Sequence, residues 1–281
     1  ISIMGKTITT YLIDGKANGP QYVFISNRIC QMLMIPRVNL SIIREREELK
    51  SPAFYILLGN EDDLAPNAYI GETENFCERV KDHDSNKDFW ERALVFIAKD
   101  NALTKADVQY LEYLAIRVAG KAKRYSLISN EQTPKAPNLP EHQKDSAEEF
   151  FEDVKLLASF SGCPIFEVVE PKNRPLFHLK NRGANAKGFY SEAGFTVLKD
   201  SILAEGMVPS FMLKEKRKKF IANFTIQSPE GIVLHSDYTF SSPSTAAGIV
   251  VGRNCNGWSI WKDDQGKTLD EIHRKQLEQS K

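Results

Sequence analysis

Cysteine is scarce in this sequence, and no two cysteines are close together. The 281 residues contain four, at Cys30, Cys77, Cys163 and Cys255. The absence of any Cys-x-x-Cys pair argues against a structural zinc site and against a disulfide framework. The simplest interpretation is that these are reduced core thiols, and we therefore expect a cytoplasmic protein.

Long apolar runs and an excess of charge of one sign are also missing. No stretch approaches the roughly 20 apolar residues that are needed to cross a bilayer, and residues 1–6 are too short and too polar for a secretory signal. We therefore expect no membrane partner. Lysine plus arginine and aspartate plus glutamate both number 37, so only local clusters of charge can indicate a nucleic-acid partner.

Length and composition predict two folded domains. The chain is longer than one average domain, and 42% of its residues are hydrophobic, which is enough to fill a core in each. Residues 134–145 have linker composition, because three prolines fall within seven residues. We predict a β-rich extension over residues 1–50, a first domain over residues 51–133 and a second domain over residues 146–281, which opens with a helix that starts at a Ser-x-x-Glu capping box.

The patterns of strands and helices predict an α/β chain of the α+β type. Two tyrosine-bearing strands, at residues 54–58 and 68–71, flank an acidic loop with hairpin composition, which predicts a small antiparallel sheet flanked by helices. The second domain is predicted to be mixed α/β. Its expected strands lie at residues 165–169, 176–179, 187–190, 195–198 and 220–227, with a further one after an Asn-Gly turn at residues 256–257.

Three polar side chains follow the tyrosine strands on predicted helices. Arg79 and His83 are four residues apart on a helix with Thr73 as its predicted N-cap, so both project from one face. Taken alone, they would be a surface pair that interacts with Glu78 or Asp82. Glu112 lies at the margin of the apolar stripe of the next helix, where a salt bridge to Arg79 and a bound metal ion are both open alternatives, the salt bridge being favoured without further context.

Basic residues are concentrated at the start of the second domain, between Pro171 and Gly188, with no acidic residue among them. Together with interleaved aromatic side chains, such a cluster can follow a phosphate backbone. A solvated face of a sheet explains it equally well. The cluster consists of Lys172, Arg174, Lys180, Arg182 and Lys187.

The order and spacing of the polar residues in the first domain resemble the GIY-YIG nuclease superfamily. Tyr69-Ile70-Gly71 matches the second motif, Arg79 follows Tyr69 by ten residues, His83 follows Arg79 by four, and Glu112 comes on a later helix. Asn130 fits the asparagine that tends to close the domain in that superfamily. The first motif departs from the pattern, because Ala53-Phe54-Tyr55 stands where Gly-Ile-Tyr is expected, although the tyrosine is retained.

The resemblance implies a metal-dependent endonuclease that hydrolyses phosphodiester bonds in DNA. It implies a ligand role for Glu112 toward one Mg²⁺ or Mn²⁺ ion and places Gly71 and Asn130 near the substrate. A non-catalytic nucleic-acid-binding or specificity protein on the same scaffold is the alternative. One such site cuts one strand, so a double-strand break would need a homodimer or two successive events. The implied catalytic residues are Tyr55, Tyr69, Arg79, His83 and Glu112.

Residues 171–281 are similar to an uncharacterised C-terminal domain that occurs on some GIY-YIG proteins and near microbial restriction and DNA-methylation systems. The resemblance assigns no activity to this region. Since basic residues interleaved with aromatic ones can follow a phosphate backbone, we predict that four residues of the cluster contact the substrate; these are Lys172, Arg174, Lys180 and Arg182.

Overall fold

The chain forms two compact units, Ile1–Val168 and Val169–Lys281. The computed structural model describes residues 5–60, 63–64, 66–128, 134–169 and 174–273. Both units contain one β-sheet with helices packed on it, so the predicted α+β class is confirmed. None of the helices in the described part of the chain is long and apolar enough to cross a membrane.

The first unit is built on a seven-stranded sheet. Its strands are β1 (Ile8–Leu12), β2 (Gln21–Ile25), β3 (Cys30–Pro36), β4 (Ala53–Gly59), β5 (Asn67–Thr73), β6 (Trp90–Ala98) and β7 (Ser126–Leu127). They follow the order β1-β2-β3-β6-β4-β5-β7, and every pair is antiparallel except β5–β7. Its helices are α1 (Leu40–Ile43), α2 (Phe76–Asn86), α3 (Lys105–Ala122) and α4 (Glu141–Phe160), with 3₁₀ turns at Arg37–Asn39 and Glu47–Lys50.

The sheet is covered on both faces, and β4 is an interior strand between β6 and β5 with every residue buried. Because side chains alternate along a strand, Phe54 and Ile56 join the core under α3 and α4. Tyr55 and Leu57 point to the opposite face and pack with Phe76 of α2. The continuous apolar run of β4 follows from this burial on two sides.

The first 50 residues are part of this sheet and not a separate cover. Strand β3 pairs with β6 from Cys30↔Ala98 to Pro36↔Arg92, and β2 and β1 extend the sheet from there. The prediction of β-rich structure in this segment is confirmed. The predicted boundary between this segment and the first domain is not found, because the strands of both form one sheet. The charged segment before β4 forms α1 and two 3₁₀ turns.

Helix α4 belongs to the first unit, although we expected the second domain to begin at Ser146. The helix begins at Glu141, within the predicted linker, and packs its apolar face with Phe150 and Phe151 into the core of the first sheet. The Arg28 Nε–H donates to Asp153 Oδ2 at 2.7 Å and joins α4 to the segment between β2 and β3. The sequence shows that a helix has an apolar face, but not which sheet receives it.

The second unit contains another seven-stranded sheet. Its strands are β8 (Phe177–Asn181), β9 (Ala184–Ser191), β10 (Gly194–Val197), β11 (Ile202–Leu203), β12 (Thr225–Ser228), β13 (Gly231–Leu234) and β14 (Tyr238–Phe240). The order is β12-β13-β11-β9-β10-β14, with β8 also paired to β9. Its helices are α5 (Lys214–Phe224), α6 (Pro243–Val251), α7 (Gly257–Ile260) and α8 (Leu269–His273).

Three predicted strands of the second domain differ from the structure. Residues 165–169 form turns and irregular backbone. Most of 220–227 is the end of α5, because Phe220 and Phe224 are four residues apart and both bury their rings. The segment after the Asn-Gly turn is α7, which Asn256 caps, and of its two tryptophans Trp261 is fully buried.

We predict that a fragment of residues 5–168 unfolds cooperatively and that a fragment of residues 5–133 does not. The shorter fragment loses α4, and with it buried side chains such as Phe150 and Phe151 that each contribute about 1.5–3 kcal/mol. Thermal unfolding followed by circular dichroism compares the two fragments with the full chain. A cooperative transition of residues 5–133 at the same temperature as the longer fragment would contradict the placement of α4.

Candidate active site

The antiparallel pairing of β4 with β5 brings the two tyrosines together. Tyr55 lies opposite Gly71, and Leu57 lies opposite Tyr69. Tyr55 and Tyr69 therefore occupy the same face of the sheet, the one that α2 covers, and their ring centroids are 6.1 Å apart. The predicted hairpin is confirmed, and its register places both hydroxyl groups beside one helix.

Gly71 provides the space that the Tyr55 ring occupies. A Cβ atom at this position would lie 2.6 Å from the Tyr55 hydroxyl oxygen and 2.9 Å from Cε1 of Tyr69. Gly71 is itself buried. The residue that we expected near the substrate thus contributes by allowing the aromatic side chains to pack across β5.

Helix α2 presents Arg79 and His83 to the tyrosines. Asn75 is its N-cap, in place of the predicted Thr73, and its side chain accepts a hydrogen bond from the Glu78 backbone N–H at 3.2 Å. His83 Nε2 lies 2.7 Å from the Tyr55 hydroxyl, and the Arg79 Nε–H donates to that same hydroxyl at 3.3 Å. The predicted common face of these two side chains is confirmed, and they meet at Tyr55.

Burial decides the protonation of this cluster. It raises the pKa of the Tyr55 phenol, and the hydrogen bond from Arg79 offsets this only in part. Burial also lowers the pKa of His83 to about 4, with further contributions from Arg79 and Lys87. At neutral pH the imidazole is therefore uncharged, and Nε2 is able to accept the hydrogen of the Tyr55 hydroxyl.

Tyr69 is more accessible than Tyr55, being half-buried where Tyr55 is fully buried. Its ring packs against His83 with centroids 5.1 Å apart, and Nζ of Lys87 lies 4.4 Å from its centroid. The pKa of Arg79 is raised chiefly by its hydrogen bond with Tyr55, and the Tyr69 hydroxyl adds to this shift. Sequence reasoning missed Lys87, although it continues the four-residue spacing of Arg79 and His83.

Glu112 projects from α3, which begins with a capping box formed by Thr104 and Asp107. Its carboxyl group is half-buried. Burial, followed by the negative charge of Glu72, raises its pKa to about 7, and the positive charge of Arg79 opposes this shift. Glu72 was missed from the sequence, where period-two alternation along β5 puts it on the face of Ile70, toward α3.

The salt bridge between Arg79 and Glu112 does not form. Within the described residues no hydrogen bond or ion pair reaches the Glu112 carboxylate, and the nearest acidic partner of Arg79 is Asp82, at 3.8 Å. A half-buried carboxylate with no protein donor, beside a second acid, is suited to a hard divalent cation. The described part of the chain holds no cluster of three metal-ligating side chains, so water and substrate would have to complete the coordination.

The other predicted substrate contacts either belong to the second unit or lie outside the residues that the structure describes. Asn130 and Lys172 lie outside the described residues. Arg174, Lys180 and Arg182 are exposed residues of the second unit, at or near β8.

We predict that Gly71→Ala destabilises the chain by about 1–3 kcal/mol, because the added methyl group overlaps the Tyr55 ring. Gly120→Ala is the matched control, since an added Cβ on that exposed helical residue meets no atom within 4 Å. The control substitution should be neutral or slightly stabilising. Thermal or denaturant unfolding measures both variants, and equal stability of the two would contradict the close packing at Gly71.

We predict that Glu112→Gln stabilises the metal-free chain at pH 8 by about 1 kcal/mol, a figure reduced for the partial exposure of the side chain. The folded-state pKa of about 7 lies above the ordinary value, so ionisation of Glu112 costs stability as pH rises from about 4.5 to 7. The full cost is present above pH 7 and is small near pH 4.5. The gain in melting temperature of Glu112→Gln should therefore be smaller at pH 5 than at pH 8. The substitution Glu141→Gln, at an exposed carboxylate, is the control. A gain that is the same at both pH values would contradict the raised pKa of Glu112.

Comparison with known proteins bears on the second unit alone. Residues 177–273 match the model of a family described as a domain of unknown function, DUF4357. No curated protein and no solved structure matches the chain. The match begins at β8 and ends at α8, so the residues of the tyrosine cluster lie outside it.

Proposed function

We propose that the chain is a metal-dependent endonuclease that hydrolyses phosphodiester bonds in DNA. The observation that carries the proposal is the convergence of His83, at 2.7 Å, and Arg79, at 3.3 Å, on the Tyr55 hydroxyl. Tyr69 and Glu112 complete a set in which the sequence resembles the GIY-YIG nucleases. Perturbed titrating groups of this kind are concentrated at functional sites.

Arg79 is the group that would neutralise charge on the phosphate. Its Nε is held by Tyr55, and its side chain is 42% exposed. Among the described residues, Arg79 has one ion pair, to the exposed Asp82 at 3.8 Å, and this pair is weak enough to be exchanged for a phosphate oxygen. A guanidinium group binds two oxygens in one plane, which a lysine ammonium does not reproduce.

Tyr69 is the tyrosine that would take a proton from the attacking water. Tyr55 is fully buried and its pKa is raised, so its phenol stays protonated at neutral pH and instead positions Arg79 and His83. Tyr69 is half-buried, with the cations Arg79 and Lys87 beside it. His83 is 3% exposed and acts through Tyr55 without touching the substrate.

Glu112 would hold one Mg²⁺ or Mn²⁺ ion through a carboxylate oxygen, and Glu72 lies close enough to influence it. A bound ion would supply electrostatic stabilisation of the charge that develops on the phosphate. Because the pKa of Glu112 is about 7, binding of a cation displaces a proton from part of the population at neutral pH. Metal affinity should accordingly increase with pH.

The proposal includes DNA as the partner and the cytoplasm as the location. None of the four cysteines, all of which lie among the described residues, forms a disulfide, and Cys30, Cys77 and Cys163 are buried, which suits a reducing compartment. A single site of this kind cuts one strand. A homodimer, or two successive events, would be needed for a double-strand break.

The expected result of a plasmid-nicking assay with Mg²⁺ is that the wild-type chain converts supercoiled to open-circular DNA. Glu112→Ala and Arg79→Ala should lower the rate at least 100-fold, because each removes charge stabilisation of the transition state. Tyr69→Phe should lower it more than Tyr55→Phe, since only Tyr69 is assigned to the proton. Glu141→Ala, which replaces an exposed carboxylate of α4, is the matched control and should leave the rate unchanged.

Unfolding temperatures of the variants separate loss of chemistry from loss of fold. Full activity in a folded Glu112→Ala protein would refute the mechanism, and wild-type turnover of Arg79→Ala would remove Arg79 from the site. An electrophoretic shift without metal, combined with no cleavage by the wild-type chain, would instead select a non-catalytic nucleic-acid-binding protein.

A further inference from the structure

The second unit contains an open cleft of about 820 Å³. One wall is formed by His178 and Lys180 of β8 and another by the segment from Arg253 to Lys262, which includes Asn256 of the α7 cap. The volume is in the range of sites that bind ligands the size of a nucleotide. None of these residues has a role in the phosphodiester chemistry assigned above.

The walls of the cleft are fixed by contacts to the core. The backbone N–H of Lys262 donates to His178 O at 3.1 Å, and this bridge joins the two walls. Trp261 is fully buried, stacks on Phe195 at 4.3 Å and donates from Nε1 to Pro243 O at 3.2 Å. A Cβ at Gly257 would lie 2.1 Å from backbone atoms of Pro243, so the cleft is preformed by close packing and does not need a ligand to organise it.

Positive charge in the cleft is available for a ligand. Across the described residues, Lys180, Arg253 and Lys262 have no carboxylate within 4.0 Å, and Arg253 Nε is buried without a hydrogen-bond partner. The two aspartates that line the cleft interact with other groups. Asp264 Oδ1 lies 2.8 Å from His178 Nε2, and Asp263 Oδ1 accepts backbone hydrogen bonds in its own turn, from Gln265 at 2.9 Å and Lys267 at 2.8 Å.

The charge continues beyond the cleft along the same strands. Lys187 of β9 lies directly opposite His178, and Arg182 follows Lys180 in the turn between β8 and β9; both are exposed. A row of cations that extends past a pocket fits a polyanion better than a small acid. Asparagine and serine side chains in the cleft, such as Asn256 and Ser259, offer hydrogen bonds to sugar or base groups.

We propose that this cleft binds successive phosphodiester groups of a single nucleic-acid strand, with Lys180, Arg253 and Lys262 as the phosphate contacts. The choice of a nucleic-acid strand rests on the proposed nuclease function, whereas the preference for phosphate rests on the cleft itself. A free nucleotide offers the same phosphate chemistry. It would use the cleft without the cations outside it.

The test measures binding of a fluorescent 20-nucleotide DNA strand by anisotropy, with EDTA present and with Glu112→Gln in the full chain, so that cleavage plays no part. The Lys180→Ala/Lys262→Ala pair should weaken binding about 10- to 30-fold at 0.1 M salt. It should reduce the slope of log affinity against log salt by about 1.4, because each single-strand phosphate contact contributes about 0.7. Lys180→Arg/Lys262→Arg keeps the charge and should bind like the parent protein.

Lys199→Ala/Lys218→Ala is the control pair, since it removes two exposed lysines of the same unit that do not line the cleft. It should leave affinity within about twofold of the parent protein. Equal affinities of the cleft pair and the control pair, or no binding of the strand by any variant, would overturn the proposal. Titration with thymidine monophosphate tests whether the cleft binds a free nucleotide in place of a strand. The proposal would also be overturned if the Lys180→Ala/Lys262→Ala pair weakened binding of the mononucleotide but left binding of the strand unchanged. None of these outcomes depends on nicking activity, so the nuclease proposal stands or falls separately.

Discussion

The arrangement of the candidate site depends on the contact between Tyr55 and Gly71 across strands β4 and β5. Because Gly71 has no Cβ, the Tyr55 ring lies over β5, and its hydroxyl receives Arg79 and His83 from α2. Any side chain at position 71 would move the hydroxyl and leave a buried imidazole without its partner. The glycine therefore acts on the chemistry through packing, and it requires the antiparallel register that places the two residues opposite each other.

Burial shifts the pKa values of the surrounding groups so that their uncharged forms are favoured. His83 is kept neutral by burial, and Glu112 is pushed toward its protonated form by burial and by Glu72. Each shift lowers the stability of the charged form in the folded state, and the apolar contacts of Phe76, Trp90 and their neighbours offset that cost. This compensation of a buried ionisable group by apolar packing is expected for a site whose charged ligand is substrate or metal. A carboxylate already paired in a salt bridge would have no capacity left for a cation.

Sequence reasoning predicted the parts of this site that depend on local period. The four-residue spacing of Arg79 and His83 and the position of Glu112 at the margin of its stripe are local properties of helices, and the structure confirms them. Sequence reasoning missed Lys87 and Glu72. Their involvement depends on tertiary contacts, because Lys87 lies over the ring of Tyr69 and Glu72 lies near Glu112. The same reason explains the misplaced boundary at Ser146 and the α5 segment predicted as a strand: periodicity identifies an apolar face, whereas tertiary packing decides its partner and its backbone conformation.

If both proposals hold, the distribution of charge would give the two units different tasks. In the described part of the first unit, Arg79 is engaged by Tyr55, and Lys87 lies over the ring of Tyr69, so few cations at the site are left to hold a polyanion. Affinity for nucleic acid grows with the number of phosphates neutralised, and one arginine cannot supply it. Within its described residues, the second unit carries three cations without carboxylate partners, on walls that are fixed by buried aromatic packing; these are Lys180, Arg253 and Lys262. The first unit thus has the groups that would cut a phosphodiester, and the second has the charge that would hold the strand, which is why neither unit alone is expected to show both properties.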